Sequence, residues 1–311
     1  MLFRSVGKYL SAAIGLSGLP AVSYYDEING DLKFAQYVTN SFQYGWFSST
    51  LDSAGDVGLY TSFVSTTNGG AAISYYDASN GNLKFVRRDP PPFSFWQTPK
   101  ALDSGGDVGR FTSMALVNGR PSIAYQDVSN GNLKYIRALD GTGGSWAAPV
   151  VVDSGTNNNS QSVGQYASLA VVSGRPAIAY YDADLKRLVF VRANDVNGAT
   201  WGTPMTLDPT PETGNGDRGR NATLRVINGR PAILYYDATT TRLRYIHATD
   251  ADGTNWGRPL ELDSGPNVGL YGALMELNGN PSVTYSDTGN GLLKNLYPIK
   301  PFQINWFSIE P

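Results

Sequence analysis

Apolar residues along this chain fall in short runs of strand length, and none keeps a 3.6-residue period over two helical turns. One stretch reads Val57-Gly58-Leu59-Tyr60, then Ala72-Ile73-Ser74-Tyr75-Tyr76-Asp77, then Asn80-Gly81-Asn82-Leu83-Lys84-Phe85, and closes on Trp96. The same phrases recur from Val6, Val108 and Val163, and in altered form from Arg218 and Val268. The Asp ending the Tyr-Tyr phrase stands at 26, 77, 127, 182, 237 and 287, and Trp stands at 46, 96, 146, 201, 256 and 306. Both series advance in steps of 50 to 55 residues, so six copies of one unit fill the chain.

Each copy predicts four strands. The first follows Val-Gly-x-Tyr, the second is a phrase such as Pro176 to Tyr181, the third a phrase such as Leu133 to Arg137, and the fourth begins at the Trp. Asn118-Gly119, Ser173-Gly174 and Asn130-Gly131 separate them, and such dipeptides mark hairpins because Gly and Asn accept positive φ. In the second strand Ile or Val alternates with Ala or Ser, which suits sheets covered on both faces. Six four-stranded units of this length predict an all-β, six-bladed β-propeller forming one domain. Its blades span approximately 1–56, 57–107, 108–162, 163–217, 218–267 and 268–311. Each copy runs from its own first strand to its own Trp strand, so no strand exchange is expected at ring closure.

The turns before three of the Trp read Asp140-Gly141-Thr142-Gly143-Gly144-Ser145-Trp146, Asp195-Val196-Asn197-Gly198-Ala199-Thr200-Trp201 and Asp250-Ala251-Asp252-Gly253-Thr254-Asn255-Trp256. They resemble the Asp-box (BNR-type) turns of sialidase-like six-bladed propellers. The resemblance implies a structural turn between the outer two strands of a blade. For a catalytic member it also implies an arginine trio for a carboxylate, a Tyr–Glu nucleophile pair and an acidic Asp. No residues of this chain are assigned to that set. The Arg of Gly-Arg-Pro at 120, 175 and 230 repeats with the blade and reads as structural.

Composition removes several chemistries. There is no Cys and one His, so thiol nucleophiles and Cys/His zinc sites are excluded, and a His-dependent triad would have to use His247. His247 occupies a third-strand slot that holds Arg87, Arg137, Arg192 and Gln36 elsewhere, which predicts a structural hydrogen bond. A net charge of −2 argues against a nucleic-acid partner, and no apolar run is long enough for membrane insertion. Leu10 to Leu19 is apolar but reads as the first strand rather than a secretory signal. Charged residues make up 16 %, against about 25 % in an average domain, and Gly and Tyr are abundant. That balance predicts an extracellular or cell-surface protein.

A residue present in every copy holds the blade together, whereas a site should appear where the repeat breaks. The six Trp are therefore expected to wedge between blades, and the repeated Asp to close an Asx turn. Breaks occur at Arg110-Phe111 and Arg220-Asn221 in place of Leu-Tyr, at Gln126 in place of Tyr, and in the loop from Asp208 to Arg220. Candidate ligand residues are Arg110, Phe111, Gln126, Glu212, Asp217, Arg218 and Arg220, with Tyr60, Tyr166 and Tyr271 from Gly-x-Tyr lining a central channel. The fourth-to-first-strand loops are rich in carboxylates, and hard cations take oxygen clusters. Asp56, Asp77, Asp107 and Asp127 are accordingly the candidate calcium ligands; no other cofactor and no catalytic residue is assigned. The leading reading is a non-catalytic propeller that binds a glycan or protein partner through one loop-rich face. The alternatives are a sialidase-like glycoside hydrolase or polysaccharide lyase, and a structural subunit of a surface or phage assembly.

Overall fold

The computed structural model describes residues 7–15, 18–40, 43–155, 163–208, 216–300 and 303–309, with the backbone alone from residue 298 onward. The described elements are strands, with no helix among them. They form six sheets, each of four consecutive strands paired antiparallel in chain order. The chain is an all-β, six-bladed β-propeller, and the first sheet (8–52) and the last (268–309) are each built from their own strands. Leu10 lies in the first strand, Lys8–Ile14, as its pattern predicts. Contacts divide the chain into two compact units, 1–161 and 162–311, with three blades in each.

The second strand of a blade is its most buried element; in blade 2 every residue of Ala71–Asp77 is buried. Its Ile73 joins Leu32, Phe34, Val57 and Phe63 in a cluster between blades 1 and 2. Leu83, Phe85, Met114 and Ile123 do the same between blades 2 and 3. In the second unit, Leu188, Phe190, Leu224 and Ile233 cement blades 4 and 5, and Leu234, Leu243, Leu274 and Val283 cement blades 5 and 6. Each such side chain contributes roughly 1.5–3 kcal/mol on burial. Asn118 (φ +50°) and Gly119 (φ +72°) both adopt left-handed backbone, as a two-residue hairpin of matching twist requires. Gly109 serves closeness instead: at φ +107°, a Cβ there would lie 2.6 Å from the Cα of Leu83 in the neighbouring blade.

The fourth strand departs from expectation. In blades 2 to 5 it does not begin at the Trp but four residues later, at Lys100, Val150, Met205 and Leu260. Each Trp instead makes one isolated bridge, to Arg88, Ala138, Ala193 and Ala248 respectively. The reason is visible as Pro99, Pro149, Pro204 and Pro259, whose missing N–H interrupts the ladder. Blades 1 and 6 lack that proline, and their fourth strands, Tyr44–Asp52 and Gln303–Ile309, run through the Trp.

Three Trp wedge between blades as expected: Trp96, Trp146 and Trp256 meet Phe34, Phe85 and Phe190 of the preceding blade edge-on at 4.9, 4.9 and 5.1 Å. Trp46 does not. It is 54 % exposed and its ring leans on Tyr37 of its own blade. The Trp306 side chain lies outside the described residues.

The Asp-x-x-Gly turns close on their aspartates. Asp140 accepts from the backbone N–H groups of Thr142, Gly144 and Ser145, while the Trp146 indole donates to the Gly143 carbonyl at 2.9 Å. Asp195 and Asp250 repeat the arrangement. Burial opposes ionisation of these carboxyls. Backbone and hydroxyl donors outweigh it, holding Asp195 down at about 2 and Asp140 and Asp250 well below the usual carboxylate range.

Candidate functional site

At one fixed position the first strand of every blade carries a β-bulge or its equivalent, occupied by Tyr9, Tyr60, Phe111, Tyr166, Asn221 and Tyr271. All six have φ between +52° and +57°, a region that aromatic residues rarely enter. Such strain costs on the order of 1–3 kcal/mol per residue and commonly marks a place where a side chain is re-aimed for use. In the first unit the rings form a ladder, with Tyr9 to Tyr60 and Tyr60 to Phe111 each 4.6 Å between centroids. Tyr271 is the most open of the six, 80 % exposed.

Beside this ladder the structure builds a notch from two neighbouring blades. The Tyr76 hydroxyl of blade 2 donates to Asp107 Oδ1 at 2.7 Å, and Arg110 of blade 3 donates to Asp107 Oδ2 at 2.8 Å. The guanidinium lies 5.4 Å from the Tyr76 ring centroid, while its Nε finds no acceptor. Ser129 Oγ fixes the loop by accepting from the Asp107 N–H. Burial pushes the Tyr76 phenol up, helped by Asp107. Burial also works against the Arg110 charge, but Tyr76 and Asp107 outweigh it and hold the guanidinium above its ordinary value. A buried aromatic ring thus backs a half-exposed acceptor and cation on one small surface.

The second unit contains the same notch. Tyr181 donates to Asp217 at 2.7 Å, Arg220 forks onto both Asp217 oxygens, and its guanidinium lies 5.6 Å from the Tyr181 ring. Thr239 Oγ1 plays the part of Ser129, and Tyr166 stands 6.2 Å from Tyr181. Burial and Asp217 raise the Tyr181 phenol to about 12. A partial version exists at Tyr25 and Asp56, 2.7 Å apart, where the Arg position holds Leu59.

The predicted residues therefore sort into several places. Tyr60, Phe111 and Arg110 share the first notch, and Asp217, Arg220 and Tyr166 share the second. Gln126 faces Arg110 in strand register but is buried, 3 % exposed. Arg218 turns inward to Asp208 and Asp237, both at 3.1 Å, and is a structural ion. Glu212 lies outside the described residues.

The proposed calcium ligands have other partners. Asp77 and Asp127 each accept from an Asn at the following turn, Asn80 and Asn130, and each faces a lysine. Asp56 and Asp107 accept from tyrosines. Among the described residues no three carboxylate or imidazole groups gather as a metal site.

Two features escaped the sequence pattern. One is the tyrosine of each notch, which belongs to the repeated Tyr-Tyr phrase and so does not stand out as a break. Only a partial signal existed: Gln126 replaces that tyrosine and Ser162 the Asp before the following Val-Gly, whereas Asn267 follows a retained Tyr236. The other is a buried clamp centred on the third-strand lysine. Tyr125 donates to Asp103 at 2.7 Å, and Lys134 spans Asp103 (3.2 Å) and Asp127 (2.7 Å). Tyr75–Asp52–Lys84–Asp77 and Tyr285–Asp263–Lys294–Asp287 repeat it. Blade 5 uses Arg244 and Arg218 as its cations. Burial drives these phenols far above their ordinary value, with the partner carboxylate adding to it.

The polar third-strand slot behaves as expected at Arg137 and Arg192, whose Nε atoms donate to the Val117 and Val172 carbonyls. His247 differs: it stacks on Tyr245 at 5.9 Å and its Nδ1 is buried without a partner, the imidazole being too short for the arginine's reach.

No family model matches this chain, and no curated protein sequence matches it. Among solved structures it is similar to a fucose-specific lectin from Aleuria aurantia, at 18 % identity and a TM-score of 0.56 over 98 % of this chain and 96 % of that one. A protein of unknown function from Dyadobacter fermentans aligns at 14 % identity and a TM-score of 0.59, covering 98 % and 95 %. The polysaccharide lyase Uly1 aligns at 9 % identity and 0.56, covering 99 % and 82 %. These likenesses show the propeller fold.

Proposed function

We propose that this protein is a non-catalytic, extracellular carbohydrate-binding propeller that holds sugars in its inter-blade notches. The observation that carries the reading is duplication: Tyr76–Asp107–Arg110 and Tyr181–Asp217–Arg220 are the same assembly, built once in each unit at the two places where Leu of the repeat becomes Arg. Asp accepts from sugar hydroxyls, Arg donates to them, and tyrosine and phenylalanine rings cover the apolar face of a pyranose. Repeated modest sites gain strength through multivalency, which suits a lectin better than a single catalytic centre. Glycoside hydrolysis needs two carboxylates across one bond, and each notch is organised around a single one. The named neighbours, a fucose-specific lectin and a polysaccharide lyase, are consistent with a sugar ligand, but the reading rests on the notch.

A glycan array followed by calorimetry on the best hits tests it. Arg110→Ala with Arg220→Ala should lower affinity about tenfold or more, given the usual worth of a charged hydrogen bond. Full binding by the double variant would exclude these notches, and an array without hits would exclude the sugar.

A further inference from the structure

A second departure from the repeat lies elsewhere in the first unit. At the isolated bridge to Trp, three blades carry Ala138, Ala193 and Ala248, each at most 2 % exposed. Blade 2 carries Arg88 there. The turn that follows also diverges: Asp89-Pro90-Pro91-Pro92-Phe93-Ser94-Phe95 stands where blades 3 to 5 have their aspartate-closed turns. Asp89 serves Arg87 and Gln97 instead, and Phe93 and Phe95 are exposed.

Arg88 is a large cation in a slot sized for a methyl group. Phe34 and Trp96 flank its guanidinium at 5.8 and 5.7 Å, and one Nη donates to Gln36 Oε1 at 2.9 Å. The Nε is buried with no acceptor, and among the described residues no carboxylate pairs with Arg88. A half-buried guanidinium without a counterion is costly to keep, and burial depresses its affinity for the proton. The same residue lines a cavity of about 550 Å³ between blades 1 and 2, together with Gln36, Tyr37, Thr39 and Ser94. That volume lies within the range of about 300–1,000 Å³ typical of small-ligand sites and far exceeds a simple anion.

We propose that this cavity is a distinct binding site for an acidic monosaccharide unit, its carboxylate paired with Arg88 and its hydroxyls met by Gln36 and Ser94. One guanidinium matches one negative charge. The side chains of Gln36 and Ser94 supply hydrogen bonds for hydroxyls, while Tyr37 packs edge-on with Tyr44 and Trp46 on the other face of its strand. The site shares no residue with either notch, so it stands or falls separately from the reading above.

The test titrates the protein with D-glucuronic acid, D-glucose and acetate, following intrinsic fluorescence (Trp96 adjoins Arg88) and heat. Glucuronic acid should bind at least about tenfold more tightly than glucose or acetate. Arg88→Ala should erase that preference while keeping the fold, because alanine is the resident of this slot in three sister blades. Arg88→Gln keeps volume without charge and should behave alike. The Arg110→Ala, Arg220→Ala double variant should retain the preference. Equal binding of glucose removes the role of the charge, equal binding of acetate removes the sugar, and undiminished binding by both Arg88 variants, or no binding at all, overturns the site.

Discussion

Asp103 and Asp107 lie four residues apart on the same connection between blades 2 and 3, and each receives one tyrosine hydroxyl and one cation. The chemistry is the same and the burial is not. Asp103 is 10 % exposed and Lys134 16 %, whereas Asp107 is 31 % and Arg110 40 %. In the clamp every group is spent on another part of the chain, Lys134 reaching on to Asp127, which is wholly buried. In the notch the guanidinium lies over Tyr76 and stays 40 % exposed, although its Nε is buried. A Tyr–Asp–cation set is glue when desolvated, and when half-wet it leaves polar groups open for the recognition proposed above.

Breaking the clamp should have the largest effect. Asp127→Ala leaves Lys134 short of its closest partner in a buried place, and a cost of about 3–5 kcal/mol is expected in urea unfolding. Tyr125→Phe removes only the phenol's donor to Asp103 and should cost about 1–3 kcal/mol in the same assay. If either changed stability as little as a surface substitution, the clamp would not be holding the blades together.

The pH response separates the two regions further. The clamp tyrosines have folded values above the ordinary 10, so their stabilisation is complete below pH 10 and is lost as pH rises beyond it. The aspartate-closed turns act in the opposite sense. Asp195 falls from 3.8 to about 2, so its contribution is present above pH 3.8 and fades as pH drops towards 2. Urea midpoints should stay level between pH 5 and 9 and decline at both ends; a midpoint unchanged between pH 9 and 11 would contradict the clamp. Smallest in stability should be Arg110→Ala, within about 1 kcal/mol because the pair is half-exposed, although it removes the sugar contact proposed for its notch. A stability loss as large as that of Asp127→Ala would make the notch a second clamp.

How much of this was legible beforehand depends on the kind of signal. Asn118-Gly119 and the Ile/Ala alternation report backbone twist and two-sided burial locally, so strands, turns and blade count could be read directly. The late start of the fourth strand was equally present in Pro99, Pro149, Pro204 and Pro259, but the Trp beside them drew the boundary instead. Arg218 and Arg220 look alike in sequence and lie two residues apart, yet one faces Asp237 and the other covers Tyr181. Their difference is a matter of strand face and bulge, where a period of two is locally broken. Gln126 breaks the repeat in sequence, but its burial depends on the blade beside it.

The sequence by itself determined the repeat, the all-β class, the six blades and the positions where the pattern fails, because turn chemistry and side-chain alternation are short-range properties. Tertiary structure alone decided which aspartates are buried, which tyrosines reach across to them and where Arg88 finds itself without a counterion. Those outcomes depend on residues some 20 to 50 positions apart meeting across neighbouring blades, and on how much water remains between them.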